Sequence, residues 1–109
     1  MNVRITSPGK YDRHEAEVRF IAVVDGRTVS VSITTYALFI IGEALEMPRA
    51  EPLVTYAASG RLLEAVVAQV AQAAGSSQST YLVGHDDVLR VTGSAGEGHP
   101  HLPKRWRGN

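Results

Sequence analysis

The chain has 109 residues, is 44% hydrophobic, contains no cysteine and carries a formal net charge of zero. Its length suits one domain with a modest core, and its hydrophobic share argues against a disordered chain. The lack of cysteine excludes disulfides, thiolate zinc sites and thiol catalysis, and it suits a reducing compartment. All 11 acidic residues lie at or before Glu97, whereas Lys104, Arg105 and Arg107 follow it. The body is therefore acidic and the tail basic, so nucleic-acid affinity is expected in the tail alone. Met1-Asn2-Val3-Arg4-Ile5 is no signal-peptide core. Apolar runs such as Ala37 to Ile41 fall far short of the ~20 residues that cross a bilayer. These features predict a cytoplasmic protein without membrane contact.

In chain order, Val3 and Ile5 alternate with polar residues and suggest a short edge strand that Ser7-Pro8-Gly9 ends. Val18, Phe20, Ala22 and Val24 then alternate at period two, Asp25-Gly26 follows, and Val29, Val31 and Ile33 resume the alternation. Asp-Gly between two such runs signals a hairpin, because a type I′ turn needs positive φ at both central residues. A two-residue turn sets Val24 opposite Arg27, Ala22 opposite Val29, Phe20 opposite Val31 and Val18 opposite Ile33. The other face then pairs Arg19 with Ser32, Ile21 with Ser30 and Val23 with Thr28. A one-residue slip would mix the two faces.

Thr34 or Thr35 can cap a helix over about 35–46, with Leu38, Ile41 and Leu45 as its buried stripe. Gly42 should weaken it slightly, and Pro48 should end it. Pro52 suits the first turn of a second helix, 52–74. Leu53, Tyr56, Gly60, Leu63, Val67, Val70 and Ala74 keep a 3,4 spacing through that segment. One long helix or two pieces kinked at Gly60 are both compatible with it. Tyr81-Leu82-Val83 predicts a returning strand at about 80–84, and Gly84-His85-Asp86-Asp87 a turn. Val88 to Val91 suits a last strand or one helical turn. Residues 93–109 read as a flexible Gly/Pro-containing basic tail on a domain of residues 1–92. The predicted class is α+β: a mostly antiparallel sheet built on the 16–33 hairpin, with helices on one face.

Val18-Arg19-Phe20, Asp25-Gly26 and the run Val29 to Leu38 resemble a small bacterial family catalogued as domain of unknown function 1488. Its pattern has a V-x-F strand, a D-G type turn, a V-x-C-x-I-S strand and an E-A-L helix start. Val31 stands where cysteine is common, and Tyr36 where glutamate is common. Tyr81-Leu82-Val83 and Asp86-Asp87-Val88-Leu89 resemble its closing elements. The resemblance spans roughly residues 3–90. It implies a compact sheet-plus-helices fold and supplies no activity or catalytic residues.

Four groups are candidate sites. His85-Asp86-Asp87 has acid–base character and is the one centre on which a small hydrolase or metal enzyme could be built. Three consecutive residues converge poorly on one point, so a solvated turn with a capping Asp is the plainer reading, unless His14 or a further carboxylate joins them. The run Tyr11-Asp12-Arg13-His14-Glu15 reads as a solvated loop. Lys104-Arg105-Trp106-Arg107 combines cations with the single tryptophan, a composition suited to phosphate contact and base stacking, although three charges give little affinity at physiological salt. Gly93 to Gly98 lacks the ending of a phosphate loop, and His99-Pro100-His101 is a weak chelating pair. On the first helix, Tyr36, Phe39 and Ile40 point away from the buried stripe, and an uncovered patch of that kind is an interaction site. Ile21 and Val23 pose the same question for the hairpin's second face. Without a convergent catalytic set, the sequence reads best as a non-enzymatic binding or assembly module without a cofactor. A homodimer through Tyr36, Phe39 and Ile40 is the first expectation. A nucleic-acid or anion binder using Lys104, Arg105, Trp106 and Arg107 is the second.

Overall fold

The computed structural model describes residues 1–75 and 77–92. In chain order the elements are β1 (Val3–Ile5), β2 (Lys10–Asp12), β3 (Glu17–Val24), β4 (Arg27–Thr34), α1 (Thr35–Ala44), α2 (Pro52–Ala74), β5 (Thr80–Val83) and α3 (His85–Thr92). The fold is α+β, with three helices and a mostly antiparallel five-stranded sheet. The expected tail lies outside the described residues.

The hairpin register is the one the sequence predicts, from Val18↔Ile33 to Val24↔Arg27. Asp25 and Gly26 both have positive φ, 48° and 83°, as the type I′ turn demands. Val18, Phe20, Ala22 and Val24 join Val29, Val31 and Ile33 in the core. β1 ends before Ser7-Pro8-Gly9, as the sequence predicts. Beyond that turn a strand the sequence reading did not foresee, β2, pairs antiparallel with the same edge of β3 as β1 does. The excursion keeps its hydrogen bonds, because the Ile21 N–H donates to Ser7 Oγ at 2.8 Å. Tyr56 Oη donates to the Ser7 carbonyl at 2.6 Å, and the Ile5 N–H to Glu64 Oε2 at 3.1 Å. Side chains of α2 thus fasten this edge. On the opposite edge β5 pairs parallel with β4, with α1 and α2 forming the connection.

Thr34 caps α1, its Oγ1 accepting the Ala37 N–H at 3.0 Å. The helix stops at Ala44, two residues earlier than the sequence suggests. The cause is a Schellman closure. Glu46 takes a left-handed φ of 63°, its N–H donates to the Glu43 carbonyl, and the Met47 N–H donates to the Gly42 carbonyl at 2.6 Å. Gly42 is buried, and a Cβ there would lie 2.9 Å from the Met47 carbonyl oxygen. Its role is close backbone approach, rather than the slight weakening that helix propensity predicts.

In α2 the chain leaves helical geometry at Gly60 (φ 38°, ψ −118°), so the kinked alternative holds. The buried stripe is also broader than the 3,4 pattern. Thr55, Ser59, Leu62, Val66 and Ala71 join Tyr56, Leu63, Val67 and Val70, whereas Leu53, Gly60 and Ala74 are exposed. A core-facing helix presents a stripe at least 100° wide, and its two ends overhang the core. The last element is neither a strand nor a single turn but the eight-residue α3, whose Val88 is fully buried.

Two substitutions test the α1 closure. Gly42→Ala, which propensity scales place as stabilising by roughly 0.5–1 kcal/mol, should instead lower the urea midpoint. Glu46→Gly should raise the unfolding free energy by about 1 kcal/mol by relieving the left-handed strain. A third test concerns pH. Burial pushes the Tyr56 hydroxyl above the ordinary tyrosine range. A folded pKa above the unfolded value near ~10 keeps its stabilisation whole below that value and loses it as pH rises through the folded one. Ultraviolet titration of Tyr56→Phe should lack the most alkaline tyrosine component, and its stability should fall less steeply at high pH.

Candidate functional site

Three of the residues singled out by sequence meet on one surface. Tyr36 and Phe39 lie on the outer side of α1, 55% and 48% exposed. Their rings stack with centroids 6.4 Å apart. The His85 ring, at the start of α3, lies 4.7 Å from Tyr36 and tilted by 42°. The α1 patch and His85, nearly fifty residues apart, thus form a single aromatic ridge. Ile40 does not belong to it. It is half-buried and packs against the core cluster, so the expected trio reduces to Tyr36 and Phe39. Part of the outer side of α1 is covered within the chain, by α3.

Beside the ridge lies a hollow of about 200 Å³. Leu38, Phe39, Met47, Pro48 and Pro52 supply most of its apolar wall, and Gly42 and Thr55 complete it. The hollow exists because the Schellman closure folds residues 45–51 back along α1. Sequence reading missed it. The signal available was Gly42 on a buried helix face, next to two prolines four residues apart.

His85-Asp86-Asp87 is the first turn of α3 rather than a loop. Asp87 caps it: Oδ2 accepts the Gly84 N–H at 2.9 Å, and Oδ1 accepts from Arg90 Nη1 at 3.1 Å. His85 Nε2 lies 3.2 Å from Asp86 Oδ1; the His85 side chain is partly exposed and that of Asp86 largely so. Among the described residues, no three His, Asp or Glu side chains are grouped to hold a metal ion. His14 therefore forms no such group with His85 and Asp86. The run Tyr11 to Glu15 is part strand and part turn, closed by the Glu15 N–H donating to Asp12 Oδ1 at 3.1 Å. That bond, with the charge of Arg19 assisting, holds the Asp12 carboxyl below the usual aspartate range. Arg19 bridges Asp12 and Glu17.

The open face of the sheet is the second apolar candidate. Ile21 and Val23 are half-buried there, and Leu82 on β5 is 61% exposed. Ser30, Ser32 and Thr28 dilute the face, and a shallow hollow of about 270 Å³ runs from Ser7 to Ser32. It lacks the contiguous aromatic area of the α1 ridge. Lys104, Arg105, Trp106 and Arg107 lie outside the described residues. Among the described residues no helix is long and apolar enough to cross a membrane.

Set against family models, curated proteins and solved structures, the chain matches none.

The Asp87 cap can be checked directly. Asp87→Ala should destabilise the fold by about 1 kcal/mol, and amide exchange should rise first at the Gly84 to Val88 end of α3. Asp86→Ala, whose carboxylate makes no capping bond, should change stability by less than ~0.5 kcal/mol.

Proposed function

We propose that this domain is a non-enzymatic docking module that pairs with a second copy of itself through the outer face of α1. The observation that carries this reading is a protruding aromatic ridge, Tyr36 and Phe39, lying beside an apolar hollow on the same surface. A two-fold contact places one patch against its own copy. The ridge of one protomer can then lie in the hollow of the other. The hairpin-based resemblance to domain of unknown function 1488 belongs to this proposal as its family reading, and the cysteine-free composition supports a cytoplasmic setting.

Magnitudes indicate how strong such a pair can be. Half-exposed rings from two protomers would remove roughly 400 Å² from water, worth on the order of 10 kcal/mol before costs. Association itself costs about 4–15 kcal/mol. The rings alone therefore support a weak, concentration-dependent dimer rather than a permanent one.

Sedimentation velocity of the full chain from micromolar to near-millimolar concentration tests this. The average mass should rise with concentration. Phe39→Ser and Tyr36→Ser should each hold the chain monomeric with stability changed by under ~0.5 kcal/mol, as for other exposed positions. Leu82→Ser, on the open sheet face, should associate like the wild type. A wild-type chain that stays monomeric throughout refutes the proposal, and loss of association in Leu82→Ser moves the interface to the sheet.

A further inference from the structure

We infer that the hollow beside Phe39 also receives this chain's own residues 104–107, Lys104-Arg105-Trp106-Arg107, so that the tail covers the self-association face. The inference rests on the preceding reading only in treating that face as a docking surface.

The hollow selects its occupant by size and charge. At about 200 Å³ it is smaller than the ~300–1,000 Å³ of a small-molecule site, and its apolar wall suits one large side chain. Its rim is acidic. Glu43, Glu46 and Glu51 each adjoin in sequence a residue lining the hollow or its neighbour in the loop, against the single basic residue Arg49. None of the three glutamates forms an ion pair among the described residues. Asp86, with its side chain 72% exposed beside His85, adds a further carboxylate at the start of α3. The chain's only tryptophan is flanked by three of its 11 basic residues. An apolar hollow whose lining segments carry glutamates and a tryptophan with a cationic flank are complementary in both respects.

Connectivity favours the intramolecular partner. α3 ends at Thr92, and α3 packs on α1. The fourteen residues Gly93 to Trp106 span up to roughly 46 Å when extended, more than the 33 Å longest dimension of the domain. A tethered segment of this kind acts at an effective concentration near the millimolar range. It therefore outcompetes a second copy until the protein is concentrated. The ionic part of the contact weakens as salt shortens the screening length.

Trp106 reports on this alone, since it is the only tryptophan. In the full chain at low micromolar concentration, its emission should lie to the blue of the urea-unfolded chain. Acrylamide quenching should be severalfold weaker than in that chain. Phe39→Ser and the double variant Glu46→Lys, Glu51→Lys should each restore unfolded-like quenching while circular dichroism stays native, and salt near ~1 M should move the wild type the same way. Native Trp106 quenched as in the unfolded chain overturns the inference. So does protection that survives both variants, or protection that grows with protein concentration. Sedimentation of Trp106→Ser separates the two ideas. Stronger self-association than wild type supports the covering role. A protected Trp106 in a chain whose Trp106→Ser variant never associates leaves the tail contact standing and removes the dimer. An exposed Trp106 in a chain that associates through Phe39 does the reverse.

Discussion

The alternation of side chains along β3 and β4, held in register by the Asp25-Gly26 turn, is the constraint on which the remaining elements depend. Every second residue from Val18 to Ile33 lies on one face, and that face is almost wholly apolar. Each must leave water on the same side, so all three helices contribute to one core cluster there. A shift by one residue would carry Arg19, Ser30 and Ser32 into that core, at a cost of several kcal/mol for each unpaired polar group. The hairpin also provides the two edges on which the outer strands assemble. The N-terminal strand adds to the outer edge of β3, with α2 side chains fastening its interruption, and β5 adds to the outer edge of β4 after the helical crossover.

The end of α1 shows how a local backbone choice makes a surface feature. A left-handed residue at Glu46 closes the helix through two backbone hydrogen bonds. The closure returns the chain so tightly that only glycine fits at position 42. Pro48 and Pro52, on and after the returning segment, line the hollow together with Leu38 and Phe39 of α1. Strain at one exposed residue is thus offset by the hydrogen bonds and packing that it permits.

The placement of α3 decides which part of α1 stays free. α3 packs on α1 and α2, and Ile40 is half-buried against the core. Its first residue, His85, lays a ring against Tyr36. The surface left exposed there carries the Tyr36 and Phe39 rings beside the hollow. Asp87 uses both of its oxygens, one on the Gly84 N–H and one on Arg90, so Asp86 is the carboxylate that stands beside His85.

Local rules sufficed wherever structure follows from nearest neighbours in the chain. The hairpin register follows from a period of two and one dipeptide, the Thr34 cap from one hydroxyl, and the limits of α2 from Pro52 and Gly75. Local rules failed where a distant segment intervened. Ser7-Pro8-Gly9 ends β1 as it reads, but a hydroxyl, a carbonyl and the side chain of Tyr56 hold the excursion so that β2 rejoins the same edge. Val88 to Val91 is too short for its periodicity to declare a helix, and only its seat on α1 and α2 makes it one. The candidate site divides in the same way. Tyr36 and Phe39 were legible as residues off the buried stripe of a helix. Their meeting with His85, the withdrawal of Ile40 and the hollow beside them required α3 and the 45–51 segment to be folded against α1. Periodicity records which side of an element is buried, but which neighbour buries it is a property of the packed chain.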